Sequence, residues 1–171
     1  MRRLAALAAL PLVVASPAHA DPRAAWGSVS NVGRTSVAVV ALGLPALDGD
    51  WHGAKQSLLA MGSASLVTGA LKYSIHERRP DGSNNHSFPS GHTSLSFAAA
   101  ASIDQLYGWK AGIPAHLVAG LVGLARVKAD KHYWHDVAVG AAIGEVAGRL
   151  LVDRRRGRRA PPLAMTLRVV F

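Results

Sequence analysis

The sequence contains no cysteine, and this absence excludes three kinds of chemistry. No disulfide can stabilise the fold, no thiolate can act as a nucleophile, and no cysteine can bind a metal ion. Folding must therefore depend on packing, for which half of the 171 residues are apolar. A chain of this length and composition is expected to form one domain with a sizeable core.

The sequence also lacks a long apolar run. After residue 20, the longest apolar stretches free of charge, such as residues 57–71 and 113–125, are shorter than the roughly 18 residues that a membrane span requires. Lys72 and Arg126 lie directly at their ends. We therefore favour a bundle that is soluble or lies against a membrane over one that crosses it.

Acidic residues are few: 10 aspartates and glutamates stand against 19 lysines and arginines, and the formal net charge is +9. Five of the arginines fall within residues 154–159. Such a run can bind nucleic acid, but an exported protein rarely meets nucleic acid, and we expect no such partner. A solvated tail is the simplest interpretation, and contact with anionic lipid headgroups or substrates is the alternative.

Residues 1–20 have the pattern of a secretory signal peptide. Arg2 and Arg3 form a charged start, residues 4–15 are mostly apolar, and residues 18–20 read Ala-His-Ala, which matches a cleavage site. We expect this segment to be removed, so that the protein works in the periplasm or cell envelope, either soluble or membrane-associated. An uncleaved membrane anchor is the alternative.

The remaining sequence is dominated by alanine, glycine and leucine, and alternation of β-branched residues is nearly absent. This pattern predicts an all-α, single-domain bundle of about five to six helices. We assign residues 21–152 to the helical domain and 153–171 to a basic C-terminal tail, in which we assign no function to residues 165–171. The predicted helices cover residues 35–44, 53–76, 91–107, 113–127 and 134–152.

The first of three motifs is Lys72-x6-Arg79-Pro80, at the end of a predicted helix and in the polar loop that follows. Arginine binds phosphate through two parallel hydrogen bonds, and lysine binds it as a point charge. Basic residues at a helix C-terminus also interact favourably with the helix dipole. Taken alone, this motif therefore indicates little.

The second motif, Pro89-Ser90-Gly91-His92, lies where the polar loop meets the next predicted helix. Ser90 is expected to cap this helix, and Gly91 lets an anion approach the free backbone N–H groups of its first turn. His92 would then face the bound anion. The alternative is an ordinary capped helix start with an incidental histidine.

The third motif is Arg126-x5-His132-x3-Asp136. If a helix begins near His132, Asp136 lies one turn further along the same face. Its carboxylate can then hold one ring nitrogen and leave the other free to attack as a nucleophile. A buried histidine–aspartate pair that joins two helices is the alternative interpretation.

In order and spacing, the three motifs resemble the signatures of the phosphatidic acid phosphatase type 2 superfamily, which also includes bacterial acid phosphatases and vanadium haloperoxidases. The resemblance covers residues 54–147, although Ala125 stands where the family commonly has a serine or another small residue. It implies a metal-independent phosphatase that forms a phosphohistidine. His132 resembles the nucleophile, Asp136 its orienting partner and His92 the general acid. The implied phosphate-binding residues are Lys72, Arg79, Ser90, Gly91 and Arg126.

The substrate remains open between a phosphorylated small molecule and a lipid phosphate or diphosphate. Two other functions are a vanadium haloperoxidase, in which the same residues hold vanadate, and a non-catalytic protein that binds anionic lipid. The small size of the chain favours a phosphatase over a haloperoxidase. The intact His92, His132 and Asp136 argue against a non-catalytic lipid-binding protein. His132 and His135 are spaced to share a zinc ion, but the lack of cysteine and the assignment of Asp136 argue against this. We expect no metal and no cofactor.

Overall fold

The computed structural model describes residues 21–155, and these form five α-helices without a strand. The predicted all-α helical bundle is therefore confirmed. The signal peptide predicted over residues 1–20 and the tail from residue 156 onward, including residues 165–171, lie outside the described residues. The helices are α1 (Pro22–Leu47), α2 (Trp51–Ser74), α3 (Gly91–Tyr107), α4 (Trp109–Lys128) and α5 (Trp134–Leu151).

Helix α3 is the centre of the bundle and packs against all four other helices. Its middle consists of small residues: the alanines at 98–101 are fully buried, as are Ser94, Ser96 and Ser102. Ser102 donates its hydroxyl proton to the carbonyl oxygen of Ala98 in the preceding turn (2.7 Å), which satisfies this buried polar group. Small side chains on α3 allow its neighbours to approach closely.

Three glycines of α5, spaced one turn apart, face α3. A Cβ atom at Gly140 would lie 2.6 Å from the carbonyl oxygen of Ser90, and one at Gly148 would lie 2.5 Å from Ala101 Cβ. At Gly144 it would overlap the carbonyl oxygen of Ser94 and lie 2.7 Å from the amide nitrogen of Ala98. The two helix backbones are therefore closer than any side chain at these positions would allow.

Three helices begin earlier than the sequence predicts: α2 by two residues, and α1 and α4 by more. Helix α1 begins at Pro22, not at residue 35, because Asp21 accepts a hydrogen bond from the Arg23 N–H (2.9 Å) and Pro22 suits the first helical position. Serines and glycines within residues 27–33 have low helix propensity and hide this start. Helix α4 begins directly after Gly108, whose positive φ of 79° accommodates a sharp junction with α3.

The loop between α2 and α3 lies at the same end of the bundle as the junction between α4 and α5. The amide N–H of Ser90 donates to the carbonyl oxygen of Asp136 (3.0 Å) and joins these two regions. At the opposite end, Arg155 donates to Asp50 (2.8 Å) and Gln56 donates to Asp153 (2.7 Å). The arginine-rich run thus begins far from the end that carries the three motifs.

Within residues 21–155, no helix combines the length and the apolar character needed to cross a membrane. Large apolar side chains are nevertheless exposed on the outer faces of α1, α2, α4 and α5. They include Val32, Val39, Leu58, Leu66, Ile113, Leu117, Val146 and Leu150.

We expect Gly144→Ala to lower the free energy of unfolding by about 1–3 kcal/mol or more, because the added methyl group overpacks the contact between α3 and α5. Gly120→Ala is the matched control: it lies in α4, is exposed and has open space around it. This change should be neutral or stabilise the protein by up to about 1 kcal/mol. Urea denaturation of both variants tests the prediction, and equal effects would contradict it.

Candidate active site

The predicted site residues come from six segments that meet at one end of the bundle. Helices α2 and α4 contribute residues of their last turns, and α3 and α5 contribute residues at their starts. The loop over residues 75–90 and the connection over residues 129–133 contribute the rest. The structure brings together all eight residues that the motifs single out. They are Lys72, Arg79, Ser90, Gly91, His92, Arg126, His132 and Asp136.

His132 and Asp136 form a buried pair. The Asp136 side chain has no exposed surface, only 2% of His132 is exposed, and His132 Nδ1 lies 3.3 Å from Asp136 Oδ2. A carboxylate can only accept, so Nδ1 carries the proton and Nε2 keeps its lone pair. A nucleophilic histidine requires a nitrogen with a free lone pair. Here that nitrogen is Nε2, which does not contact the carboxylate.

The helix that carries Asp136 begins at Trp134, as predicted. Asp136 Oδ2 accepts the backbone N–H of Tyr133 (2.9 Å), and this bond fixes the helix start. His132 precedes the helix and reaches Asp136 from the loop. One carboxylate oxygen thus serves both the helix start and the histidine.

Ser87 is a site residue that the sequence analysis missed. Its fully buried hydroxyl donates to Asp136 Oδ2 over 2.6 Å, and its carbonyl oxygen accepts a hydrogen bond from Lys72 Nζ (3.0 Å). The carbonyl oxygen of His86 accepts a second bond from the same ammonium (2.9 Å). The loop therefore positions both a cation and the carboxylate, and its only signal in the sequence is its place between two motifs.

Three cations surround His132. Burial, and then the charge of Arg79, lower the pKa of Lys72 to about 8 and that of Arg126 to about 10. The buried Nε atoms of Arg79 and Arg126 have no hydrogen-bond partner within residues 21–155, although Arg126 Nη1 contacts Ser30 Oγ at 3.4 Å. Positive charges that repel one another and retain unpaired donors form a site for an anion.

Both histidines are neutral in the absence of an anion. Burial is the main cause that lowers the pKa of His132. The three neighbouring cations lower it further, and these effects together outweigh Asp136, which raises it. Burial and the charges of Arg126 and Arg34 lower the pKa of His92 to about 3. His132 is thus held in the form that can attack an electrophile.

Ser90 is the residue at the N-cap position of α3, but its side chain does not cap the helix as expected. Its hydroxyl oxygen accepts a hydrogen bond from Thr93 Oγ1 (2.9 Å), while its backbone N–H binds the carbonyl of Asp136. Tight packing beneath Ser90 keeps this hydroxyl fully buried. Gly91 lies beside the lysine, since a Cβ there would be 4.0 Å from Lys72 Cε.

Helix α1 adds polar residues that the sequence analysis also missed. His92 Nε2 lies 2.7 Å from Asn31 Oδ1, and the charge of Arg34 acts on both His92 and Arg126. Asn31 and Arg34 are spaced by three residues, which places them on one helix face. That spacing could have revealed them if the start of α1 had been recognised.

The family model of the PAP2 (phosphatidic acid phosphatase type 2) superfamily matches residues 53–159. A lipid A 1-phosphatase of Porphyromonas gingivalis is 36% identical over 96 residues, which are 53% of this chain and 22% of that protein. The chain therefore spans about a fifth of the length of this relative.

Two solved structures share the fold. The crystal structure of Aquifex aeolicus LpxE matches with a TM-score of 0.64 and 24% identity, over 75% of this chain and 83% of the other. The first transmembrane PAP2 type phosphatidylglycerolphosphate phosphatase from Bacillus subtilis matches with a TM-score of 0.60 and 23% identity, over 75% and 74% of the two chains.

The family match extends over most of the described helices and contains all three motifs. It confirms the resemblance drawn from the motifs alone, and it agrees with the observed bundle. The chain belongs to the PAP2 superfamily.

Proposed function

We propose that this PAP2 phosphatase hydrolyses phosphate monoesters or diphosphates through a phosphohistidine on His132. One observation carries the proposal: three cations, two with unpaired buried donors, converge on a buried neutral histidine. Phosphoryl transfer requires mainly positioning and the neutralisation of negative charge spread over several oxygens. Lys72, Arg79 and Arg126, with the backbone at Ser90 and Gly91, supply both, so the proposed reaction needs no metal or cofactor.

The reaction proceeds in two steps. His132 Nε2 attacks phosphorus, the bond to the leaving oxygen breaks, and that oxygen takes a proton from His92. Water then attacks phosphorus while His92 accepts its proton, the bond to His132 breaks, and inorganic phosphate leaves. Asp136 keeps the proton on Nδ1 and stabilises the positive imidazole that forms.

His92 must carry a proton to act as the acid, although cations and burial keep it neutral in the empty site. A bound phosphate brings negative charge next to it and thereby raises its pKa. Asn31 holds the ring in place through its contact with Nε2. Substrate binding therefore prepares the acid that the first step requires.

A lipid-linked phosphate is the substrate class that we propose. An apolar groove of about 460 Å³ lies between α2 and α5, the helices that carry Lys72 and Asp136, and is lined by residues such as Val67, Ile143 and Leu150. Val67 is about 7.5 Å below Lys72 along α2, so an acyl chain can enter the groove while its phosphate is bound. Among the similar proteins, the lipid A 1-phosphatase and the phosphatidylglycerolphosphate phosphatase have names that agree with this class.

We also propose that the protein is exported and associates with a membrane surface. The pattern of residues 1–20 supports export, and the exposed apolar side chains of the outer helices support contact with lipid. Arg155 is bound to Asp50, so it is less available for lipid headgroups than the other arginines of residues 154–159. We retain residues 21–152 as the phosphatase domain and the residues beyond as a basic tail.

His132→Ala should lose nearly all turnover of both an aryl phosphate and a lipid phosphate in mixed micelles, because removal of a nucleophile costs orders of magnitude. A base-quenched phosphoenzyme should form on the wild type and not on this variant. His52→Ala is the matched control, since His52 is exposed at the opposite end of the bundle. More than about a tenth of the wild-type kcat in His132→Ala would contradict the assignment.

The value of kcat/KM should fall as the pH rises through about 8, because Lys72 loses its charge there and no longer binds phosphate. Lys72 is charged below this pKa and neutral above it, so the loss occurs on the alkaline side. In Lys72→Arg, the fall of kcat/KM should move to higher pH, since arginine stays charged. A fall at the same pH in both proteins would exclude Lys72 as its cause.

Chelation by EDTA should leave the rate within about twofold of its original value, because side-chain cations, and not a metal, neutralise the phosphate. Vanadate should inhibit, since it mimics the transferring group on His132. Activity that EDTA abolishes and magnesium or zinc restores would favour metal catalysis instead. Oxidation of bromide by the vanadate-loaded protein with peroxide would favour the haloperoxidase alternative.

A further inference from the structure

Glu77, His135 and Asp136 are three possible metal ligands. They meet at the carboxylate oxygen of Asp136 that does not contact His132. His135 Nε2 is 2.8 Å from Glu77 Oε1 and 3.3 Å from Asp136 Oδ1. One ligand atom of each residue lies within 4.8 Å of the other two. Ligands about 2.1 Å from a tetrahedral zinc ion are about 3.4 Å apart, so small side-chain adjustments bring these three atoms to bonding distance.

The two oxygens of Asp136 differ in what they contact. Oδ2 accepts from Ser87 and from the Tyr133 N–H and also contacts His132. Oδ1 is buried and has no hydrogen-bond partner in the described part of the chain. Buried carboxylate oxygens are rarely left in this state, because an unsatisfied acceptor costs about 1–3 kcal/mol or more. The unpaired Oδ1 therefore indicates a site for a ligand that is not part of the protein.

His135 cannot satisfy both of its neighbours through one ring nitrogen. Its Nε2 carries at most one proton, and this proton serves Glu77 at the shorter distance. A metal ion in place of that proton would bind the nitrogen and both carboxylates together. The imidazole is already held between the rings of Tyr133 (5.5 Å, 8° between planes) and Phe88 (6.1 Å, 29°).

We propose that Glu77 Oε1, His135 Nε2 and Asp136 Oδ1 bind a divalent transition-metal ion such as zinc, and that this ion inhibits the enzyme. Imidazole nitrogen and carboxylate oxygen are both zinc ligands, and water can complete the coordination. His135 is 58% exposed, so the ion can enter from solvent. The site differs from the pairing of His132 with His135 that the sequence suggests, because His132 faces the other carboxylate oxygen.

The inhibition follows from the shared carboxylate, and this part of the inference rests on the proposed function. A cation on Oδ1 withdraws negative charge from Asp136, which then stabilises less well the positive imidazole formed when His132 is phosphorylated. Phosphate binding itself uses other residues. The ion should therefore lower kcat more than it raises KM.

Isothermal titration of the purified, metal-free protein with zinc chloride tests the site directly. We expect one saturable site in the wild type and binding at least about tenfold weaker in His135→Ala and Glu77→Gln. Cobalt(II) in place of zinc should give a visible absorption band that these two variants lose. His76→Ala is the matched control, because His76 is exposed on the same loop segment and belongs to no ligand cluster.

Activity assays on the same proteins test the effect. Zinc should lower kcat of the wild type and of His76→Ala, and it should leave His135→Ala unaffected while that variant keeps its metal-free rate within about twofold. Absence of a saturable site in the wild type, or equal binding in His135→Ala, would overturn the proposed metal site. Binding without inhibition would overturn the regulatory role. A metal-free wild type without phosphatase activity would overturn the proposed function and leave the binding result valid.

Discussion

The close contact between α3 and α5 is the constraint on which the site depends. Gly140, Gly144 and Gly148 let the two backbones approach until carbonyl oxygens of α3 occupy the space that side chains of α5 would fill. Asp136 lies one turn before Gly140, and Ser90 is the residue that a side chain at Gly140 would strike. The same contact that packs the bundle therefore sets the spacing between the histidine–aspartate pair and the start of α3, where we propose that the phosphate binds. A wider separation would break the bond from the Ser90 amide to the Asp136 carbonyl.

Asp136 connects the structural and chemical roles of this region. It fixes the start of α5, holds the loop through Ser87 and sets the tautomer of His132, all with one buried side chain. Around it, burial and then the repulsion between neighbouring cations lower the pKa values of Lys72 and Arg126. An arriving phosphate relieves this repulsion, so part of the affinity for an anion originates in the unfavourable electrostatics of the empty site.

Much of the fold and of the site could be predicted from the sequence because the motifs are local. The short spacings between residues in the sequence predict the helical fold and both ends of α3. They also predict the eight residues that meet at one end of the bundle. Ser87 and the α5 glycines could not be found in this way, since each acts through a contact with a residue distant in the chain. Asn31 was missed because the start of α1 was not recognised. Local propensity failed at the start of α1, where Asp21 and tertiary packing outweigh weak helix formers.

The residues that follow α5 have a practical consequence for how the protein is handled. The side chains of Asp153 and Arg155 bind Gln56 and Asp50, and the Arg155 amide binds the carbonyl of Gln105 (3.0 Å). The chain therefore returns to α2 and α3 after its last helix. An affinity tag or fusion partner joined directly after residue 152 would displace these contacts at the start of α2. One joined after residue 155 would retain the residues that make them.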